Sequence, residues 1–479
     1  MKKADKIPSS NPQIPNSNSQ IPDPKSQFPN SKFEIPNSPR PLPPEHKGNL
    51  LLGVMPEFNR DQLGFITRCR DYGDVVRLRF LYLTAFFIYH PDDIEFVLST
   101  NARNFIKSRS LRSPFFRRLV GNGLLTSEGE FWRRQRRLAQ PAFHRQRIST
   151  YGEVMVDYTL RTISTWREGQ VRDIHRDMMR LTLEIVVKTL FNADVSGDAD
   201  RVGQVLSELV KPFGSQATLK WILNNRLPTS GHRRFFRNVD EIDEVVYRII
   251  SQRRASRADE GDLLSMLLQA QDEDGSQMND RQLRDEVMTL FLAGHETTAL
   301  TLSWTWYLLA RNPEVEKKFH EELEQVLRGR QPTLADMAQL KYTEMIAKES
   351  MRLYPPAFGL GREAIEECEI GGYRIPAKSQ VFIFTWATHR DPRFFTSPEN
   401  FEPERWTEDR SSGLPKYAYF PFGGGPRACI GNYFAMMEIV LLLATIGQSF
   451  RFSLAGEVEL FPAMSLRPRT GVNLILHER

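Results

Sequence analysis

The stretch PFGGGPRACIG, Pro421 to Gly431, sets three consecutive glycines just ahead of one of the chain's three cysteines. Gly423, Gly424 and Gly425 let a backbone take positive φ and approach something closely. The run that follows, NYFAMMEIVLLLATIGQSF, opens at Gly431-Asn432 and reads as a strongly apolar helix. Cys429 therefore stands just before a helix N-terminus, where the dipole and unpaired N–H groups favour a thiolate over a thiol. With Arg427 beside it, the loop suits a metal-bearing ligand that carries anionic groups. A lone cysteine after a turn is usually structural; this ten-residue pattern reads as a site.

The rest of the chain sets the frame. Its 479 residues suffice for one large domain or two ordinary ones. The net charge of +5, from 64 basic and 59 acidic side chains, gives no argument for nucleic acid. Cys69, Cys368 and Cys429 are too few and scattered for a disulfide framework or a zinc site, and imply a reducing, cytoplasmic setting. The N-terminus is polar and lacks the apolar core of a secretory signal. Val287 to Ala310 is long enough to span a membrane, but Gly294, His295, Glu296, Thr297 and Thr298 break its middle. A buried core helix with a polar break fits better, since charge inside a bilayer is costly. No transmembrane anchor is expected.

Residues 1 to 45 are dense in Pro, Asn and Ser, with a recurring unit at Ile14–Ser17, Phe28–Ser31 and Ile35–Ser38. Prolines at this density predict extended, disordered chain. A single large domain is expected over 46–479, mainly α with a smaller β portion. Apolar spacings of three and four predict helices over Glu130–Pro141, Gln146–Trp166, Asp177–Leu190, Asn238–Ala258, Arg281–Arg311, Glu314–Leu327 and Leu340–Tyr354. Strand-like runs are Val75–Leu81 with Ala85–Tyr89, and Gly372–Ile375 with Gln380–Thr385. His389 to Cys429 is loop-rich, and long loops inside compact domains tend to be functional.

Phe422, Gly425, Arg427, Cys429 and Gly431 match Phe-x-x-Gly-x-Arg-x-Cys-x-Gly, so the loop resembles the haem-binding loop of the cytochrome P450 family. Three further motifs are similar to that family's. AGHETT, Ala293 to Thr298, resembles its distal helix; a zinc helix of the His-Glu-x-x-His kind is excluded because Ala299 stands where the second His must be. ESMR, Glu349 to Arg352, with Arg405 of FEPERW, resembles its buried ion network. WRRQR, Trp132 to Arg136, resembles its propionate-binding helix, and Arg362 in GREA looks like a further propionate partner.

The resemblance covers about Pro41 to the C-terminus and implies a cytochrome P450 fold. It implies haem b, iron protoporphyrin IX, with Cys429 as the iron ligand. Phe422, Trp132, Arg136, Arg362 and Arg427 would contact the cofactor, and Glu296 and Thr297 would deliver protons. Glu349, Arg352 and Arg405 would be structural. The implied activity is a monooxygenase, inserting one atom of O2 into a C–H bond of a hydrophobic substrate. Fatty-acid and carotenoid hydroxylases share the wording of its motifs, so a fatty acid, terpenoid or retinoid-like molecule is expected. Leu119 and Ala293 are expected to touch it, and the channel to be shaped by Gln204–Asn238. Electrons would come from NAD(P)H through a ferredoxin or flavodoxin and its reductase, drawn to a basic patch around Arg133, Arg134, Arg136 and Arg137. A monomer is expected. Alternatives are a peroxygenase, a haem-thiolate isomerase or dehydratase, and a non-enzymatic haem-based sensor or binding protein. The Glu296-Thr297 pair argues against them.

Overall fold

Asn279 caps a 32-residue helix, Asp280–Arg311: its side chain accepts the Gln282 N–H while the Gln282 side chain accepts the Asn279 N–H. Asn312-Pro313 ends it, and Pro313, whose missing N–H costs nothing in a first turn, opens the next helix, Pro313–Leu327. The long helix is buried on nearly all sides, as a central core helix must be. It packs on helices Ile174–Phe191, Lys341–Leu353 and Asn432–Ser449. Gly294 lets the first of these approach, since a Cβ there would sit 3.1 Å from Val186 Cγ2. Among the described residues no helix is long and apolar enough to cross a membrane.

The computed structural model describes residues 40–144, 148–193, 199–210, 230–256, 260, 262–271, 275 and 277–479. The expected tail thus lies outside the described residues as far as residue 39, as do 146 and 147 of the expected helix Gln146–Trp166 and much of the expected channel segment Gln204–Asn238. Pro41–Arg479 forms one compact unit. It is mainly α, with a smaller β portion.

Most expected helices lie within a few residues of their observed bounds, among them Gly129–Ala139, Ile174–Phe191, Pro313–Leu327 and Lys341–Leu353; the one expected over Asn238–Ala258 begins two turns earlier and runs Ser230–Ser256. The helix expected from Gln146 begins at Gly152, after a 3-10 turn. Strands are β1 Val75–Phe80, β2 Leu83–Ile88, β3 Phe105–Lys107, β4 Val171–Asp173, β5 Leu360–Ala364, β6 Cys368–Ile370, β7 Tyr373–Ile375, β8 Gln380–Ile383, β9 Phe450–Leu454, β10 Leu460–Pro462, β11 Leu466–Pro468 and β12 Asn473–Glu478. One mixed sheet runs β1-β2-β8-β5-β3. The expected hairpin β1–β2 forms. The expected pairing of Gly372–Ile375 with Gln380–Thr385 does not. Gly371 and Gly372, at φ +57° and +82°, fold β7 back onto β6 instead. β8 is left to pair with β2 and β5.

Candidate functional site

The three glycines of the opening stretch are explained by what the loop passes. Gly423 and Gly425 have φ of +70° and +63°. A Cβ on Gly425 would lie 1.8 Å from the Leu98 carbonyl oxygen, and one on Gly424 2.3 Å from the Tyr417 ring. The loop threads between that backbone and that ring, then closes as Cys429 N–H donates to the Phe422 carbonyl at 2.9 Å. Cys429 is exposed, yet burial is the main cause holding its thiol above its ordinary value, opposed by the Gly431 N–H and Arg136. A side chain both open and deeply placed lines an internal recess. Burial here outweighs the helix N-terminus, contrary to the expectation of a thiolate from the dipole. A cation at Sγ would reverse that balance, which is what a bound metal supplies.

Around this recess the fold gathers cations. Arg136 Nη1 donates to the Ala428 carbonyl at 2.9 Å, on the loop beside Cys429. Arg427 lies 4.0 Å over the Trp132 ring, donates to the Ser127 carbonyl at 2.8 Å, and pairs with Glu128. Arg362 is 7% exposed and donates only to the neighbouring Gly361 carbonyl among the described residues. Directly opposite it in the β3–β5 register stands Lys107, 9% exposed, whose ammonium has no hydrogen-bond partner among the described residues. Like charges placed opposite one another on adjacent strands repel. Burial, then Arg427, pushes Arg362 down to about 10. Burial, then Arg362 and Arg427, holds Lys107 well below its ordinary value. Glu128 opposes this surplus at Lys107, Arg362 and Arg427. Such a cluster fits a ligand whose own carboxylates complete it, and the haem propionates are of that kind. Lys107 is absent from the sequence reading, because only the strand register brings it to Arg362.

Across the long helix, every residue from Leu283 to Leu309 is buried except Ala293, Gly294 and Thr297. These three share one face, so an otherwise buried helix opens on a recess there. Thr297 Oγ1 donates to the Ala293 carbonyl at 2.6 Å. Glu296 faces elsewhere. It is 3% exposed, ion-paired to Arg467 of β11 at 2.6 Å, and accepts the Ser465 hydroxyl. Burial pushes its carboxyl up, but Arg467 and Ser465 outweigh burial and hold it below the usual carboxylate range. Arg467 also donates to Ser207 Oγ at 3.1 Å, tying helix Ala199–Val210 to this pair. Arg467, too, is missing from the sequence reading. Leu119 has no exposed surface and packs within the core.

Glu349, Arg352 and Arg405 do come together. Arg352 donates to both oxygens of Glu349, at 2.9 and 2.8 Å, and Arg405 Nε to Oε1 at 3.1 Å. Trp406 Nε1 and the Glu402 N–H also donate to Glu349, each at 3.0 Å. Arg352 further donates to the carbonyls of His389, Pro398 and Asn400. The His389 ring then accepts the Phe420 N–H at 3.0 Å, at the start of the cysteine loop. The network thus reaches the start of that loop through His389. On helix Gly129–Ala139, Arg133 and Arg137 face outward while Arg136 turns in.

A sequence model of the family described as Cytochrome P450 matches residues 43–473. Cyclooctatin synthase of Streptomyces melanosporofaciens is 37% identical, over 87% of this chain and 89% of its own. Pentalenene oxygenase of Streptomyces avermitilis is 33% identical, over 86% and 91%. The solved haem domain of cytochrome P450DA superposes with a TM-score of 0.82 at 29% identity, covering 92% of this chain and 98% of that one.

Proposed function

The chain belongs to the cytochrome P450 family of haem-iron oxidoreductases, and within that family we propose that it places one oxygen atom from O2 on a C–H bond of an apolar, terpenoid-like substrate. When bound, the haem supplies oxygen activation and C–H oxidation. Cys429 is its proposed iron ligand. Lys107, Trp132, Arg136, Arg362 and Arg427 are the proposed partners of its carboxylates, with Phe422 in the same loop. Thr297 holds a hydroxyl proton on the one open face of a buried helix, where a proton can be passed into a dry recess. Glu296 stays ionised behind it, held by Arg467. Ala293 bounds the same recess and is a proposed substrate contact. Leu119, packed behind such a wall, would act by shaping it.

The substrate class rests on the relatives: pentalenene is by its name an alkene, and an apolar skeleton of that kind needs shape more than polar contacts for recognition. Electrons are proposed to come from NAD(P)H through a ferredoxin or flavodoxin and its reductase, docked where Arg133 and Arg137 face outward.

The observation that carries this reading is a buried surplus of cations beside an internally exposed cysteine. The test is the absorption spectrum of the reduced protein with carbon monoxide. A strongly red-shifted Soret band that vanishes in Cys429→Ala is expected. A histidine-like band, or none, from folded protein would remove both the thiolate and the reading.

A further inference from the structure

A second concavity lies away from the cysteine loop. It is a cavity of about 360 Å3 at the end of the long helix, closed by the end of helix Lys341–Leu353, by Arg390 and by the loop from Glu399 to Glu402. Arg311, on its wall, stands fourteen residues beyond Thr297, or about 21 Å along the helix axis. Among the described residues, its lining includes none of those assigned to the haem. The floor is apolar: Leu308, Leu353 and Phe401 are buried there, beside the ring of Tyr354. Small-molecule sites run from roughly 300 to 1,000 Å3 and combine such a floor with a few convergent polar groups.

The wall is held in place before any ligand arrives. Arg352 donates to the Pro398 and Asn400 carbonyls at 2.6 and 2.9 Å, and the Glu402 N–H donates to Glu349 at 3.0 Å. Binding in a space so fixed costs little ordering.

The charges around the cavity are mismatched. Arg390 lines it with only 5% of its side chain exposed. Its guanidinium lies 3.5 Å over the Trp386 ring and donates to the Leu353 carbonyl. Its one carboxylate partner among the described residues is Glu399, at 3.2 Å, whose side chain is 70% exposed. A buried cation needs an enclosed counter-charge, and an acid standing in water is a weak one. Burial accordingly pushes Arg390 down to about 10. Arg311 is exposed and donates to the Tyr307 hydroxyl at 2.8 Å, with no ion pair among the described residues. Glu402, the other acid of the lining, is already taken by Arg405 at 3.4 Å and Arg410 at 3.3 Å. The cavity thus offers two guanidinium groups and one loosely held acid beside an apolar floor.

We propose that this cavity is a second binding site, separate from the haem recess, for a small monoanion with a carboxylate head and a flat apolar body. The carboxylate replaces Glu399 on Arg390 and meets Arg311, since the guanidinium fork matches carboxylate geometry. The body lies on Leu308, Leu353, Tyr354 and Phe401. A dianion fits less well, because Glu399 and Glu402 stay at the rim.

The test uses indole-3-acetate as the probe, titrated into the full-length holoprotein by calorimetry, with the Soret band recorded in parallel. Saturable one-to-one binding that leaves the Soret band unmoved is expected. Indole-3-acetamide, the same body without the charge, should bind about tenfold more weakly. Arg311→Gln should weaken binding of the acid several-fold. Glu399→Gln should tighten it several-fold, because a competing carboxylate is gone. Both side chains are exposed, so both variants should keep the Soret spectrum of the parent. Absence of saturable binding, equal binding of acid and amide, or unchanged binding in both variants would overturn the proposal. So would binding that shifts the Soret band and ignores both substitutions, since the acid would then sit beside the haem.

Discussion

At the residue scale, neighbours on a helix point about 100° apart, which leaves room for Glu296 and Thr297 to turn to different surroundings. The threonine lies on the open side of the long helix and the acid on the side packed against β11. The placement of Thr297 was legible from AGHETT and helical phase alone. The partner of Glu296 was not, because Arg467 sits 171 residues away in a three-residue strand without periodicity. The pairing has a consequence for stability. Arg467→Met should cost about 3–5 kcal/mol, because it strands a carboxylate that is 3% exposed. Adding Glu296→Gln should restore most of that loss, as the residual amide still accepts the Ser465 hydroxyl. Urea unfolding of the single and double variants measures the coupling. Simple additivity would show that the two side chains do not depend on each other.

At the element scale, two carboxylates of the long helix hold down the loop from Gly121 to Ser127. Asp285 accepts the Asn122 N–H at 2.8 Å and Glu286 the Leu124 N–H at 3.0 Å. Gly121 and Gly123 are required there, since a Cβ would fall 1.8 Å from the Asp285 carboxylate or 2.4 Å from Thr289 Oγ1. Burial pushes the Glu286 carboxyl up to about 8. An acid whose folded pKa is raised makes the folded state hold its proton longer than the unfolded chain does. Stability is therefore complete at acid pH, falls as pH rises from the ordinary glutamate value, and stops falling past about 8. Glu286→Gln keeps the acceptor and removes the titration. It should leave stability at pH 5 nearly unchanged and raise it by a few kcal/mol at pH 8.5, since each pH unit between the unfolded and folded pKa is worth about 1.4 kcal/mol. Denaturant melts at the two pH values decide this, and parallel pH profiles for both proteins would contradict it. Helices such as Lys341–Leu353 were legible because their apolar residues recur on one face. Sheet order was not, since β8 pairs with β2, far back in the chain, and with β5, rather than with its near neighbour β7. A short apolar run names a strand without naming its partner.

At the scale of the whole molecule, the cation cluster is assembled from parts that have little in common in sequence. Lys107 comes from β3, Arg362 from β5, Arg136 from helix Gly129–Ala139 and Arg427 from the loop before Cys429. The motifs made Arg136, Arg362 and Arg427 legible one by one. That they form a single buried surplus, with Lys107 opposite Arg362, is a property of the fold. It follows that the sign of a substitution at Lys107 should depend on what fills the site. In the haem-free protein Lys107 faces Arg362 and Arg427, and its lowered pKa means that the folded state binds this proton less tightly than the unfolded chain. Haem-free stability should then rise with pH over the window below the ordinary lysine value, and Lys107→Met should flatten that rise. At neutral pH the substitution should stabilise the haem-free protein by about 1–3 kcal/mol, the range for relieving one buried unpaired polar group. In the holoprotein the carboxylates of the cofactor would turn the same ammonium into a partner, so Lys107→Met should destabilise and speed haem loss to an acceptor protein. Denaturant melts of both forms, with haem-transfer rates for the second, read the two signs separately. A substitution that acted with the same sign in both would place the anionic groups of the haem elsewhere, and would leave the buried cations on β3 and β5 without the ligand that accounts for them.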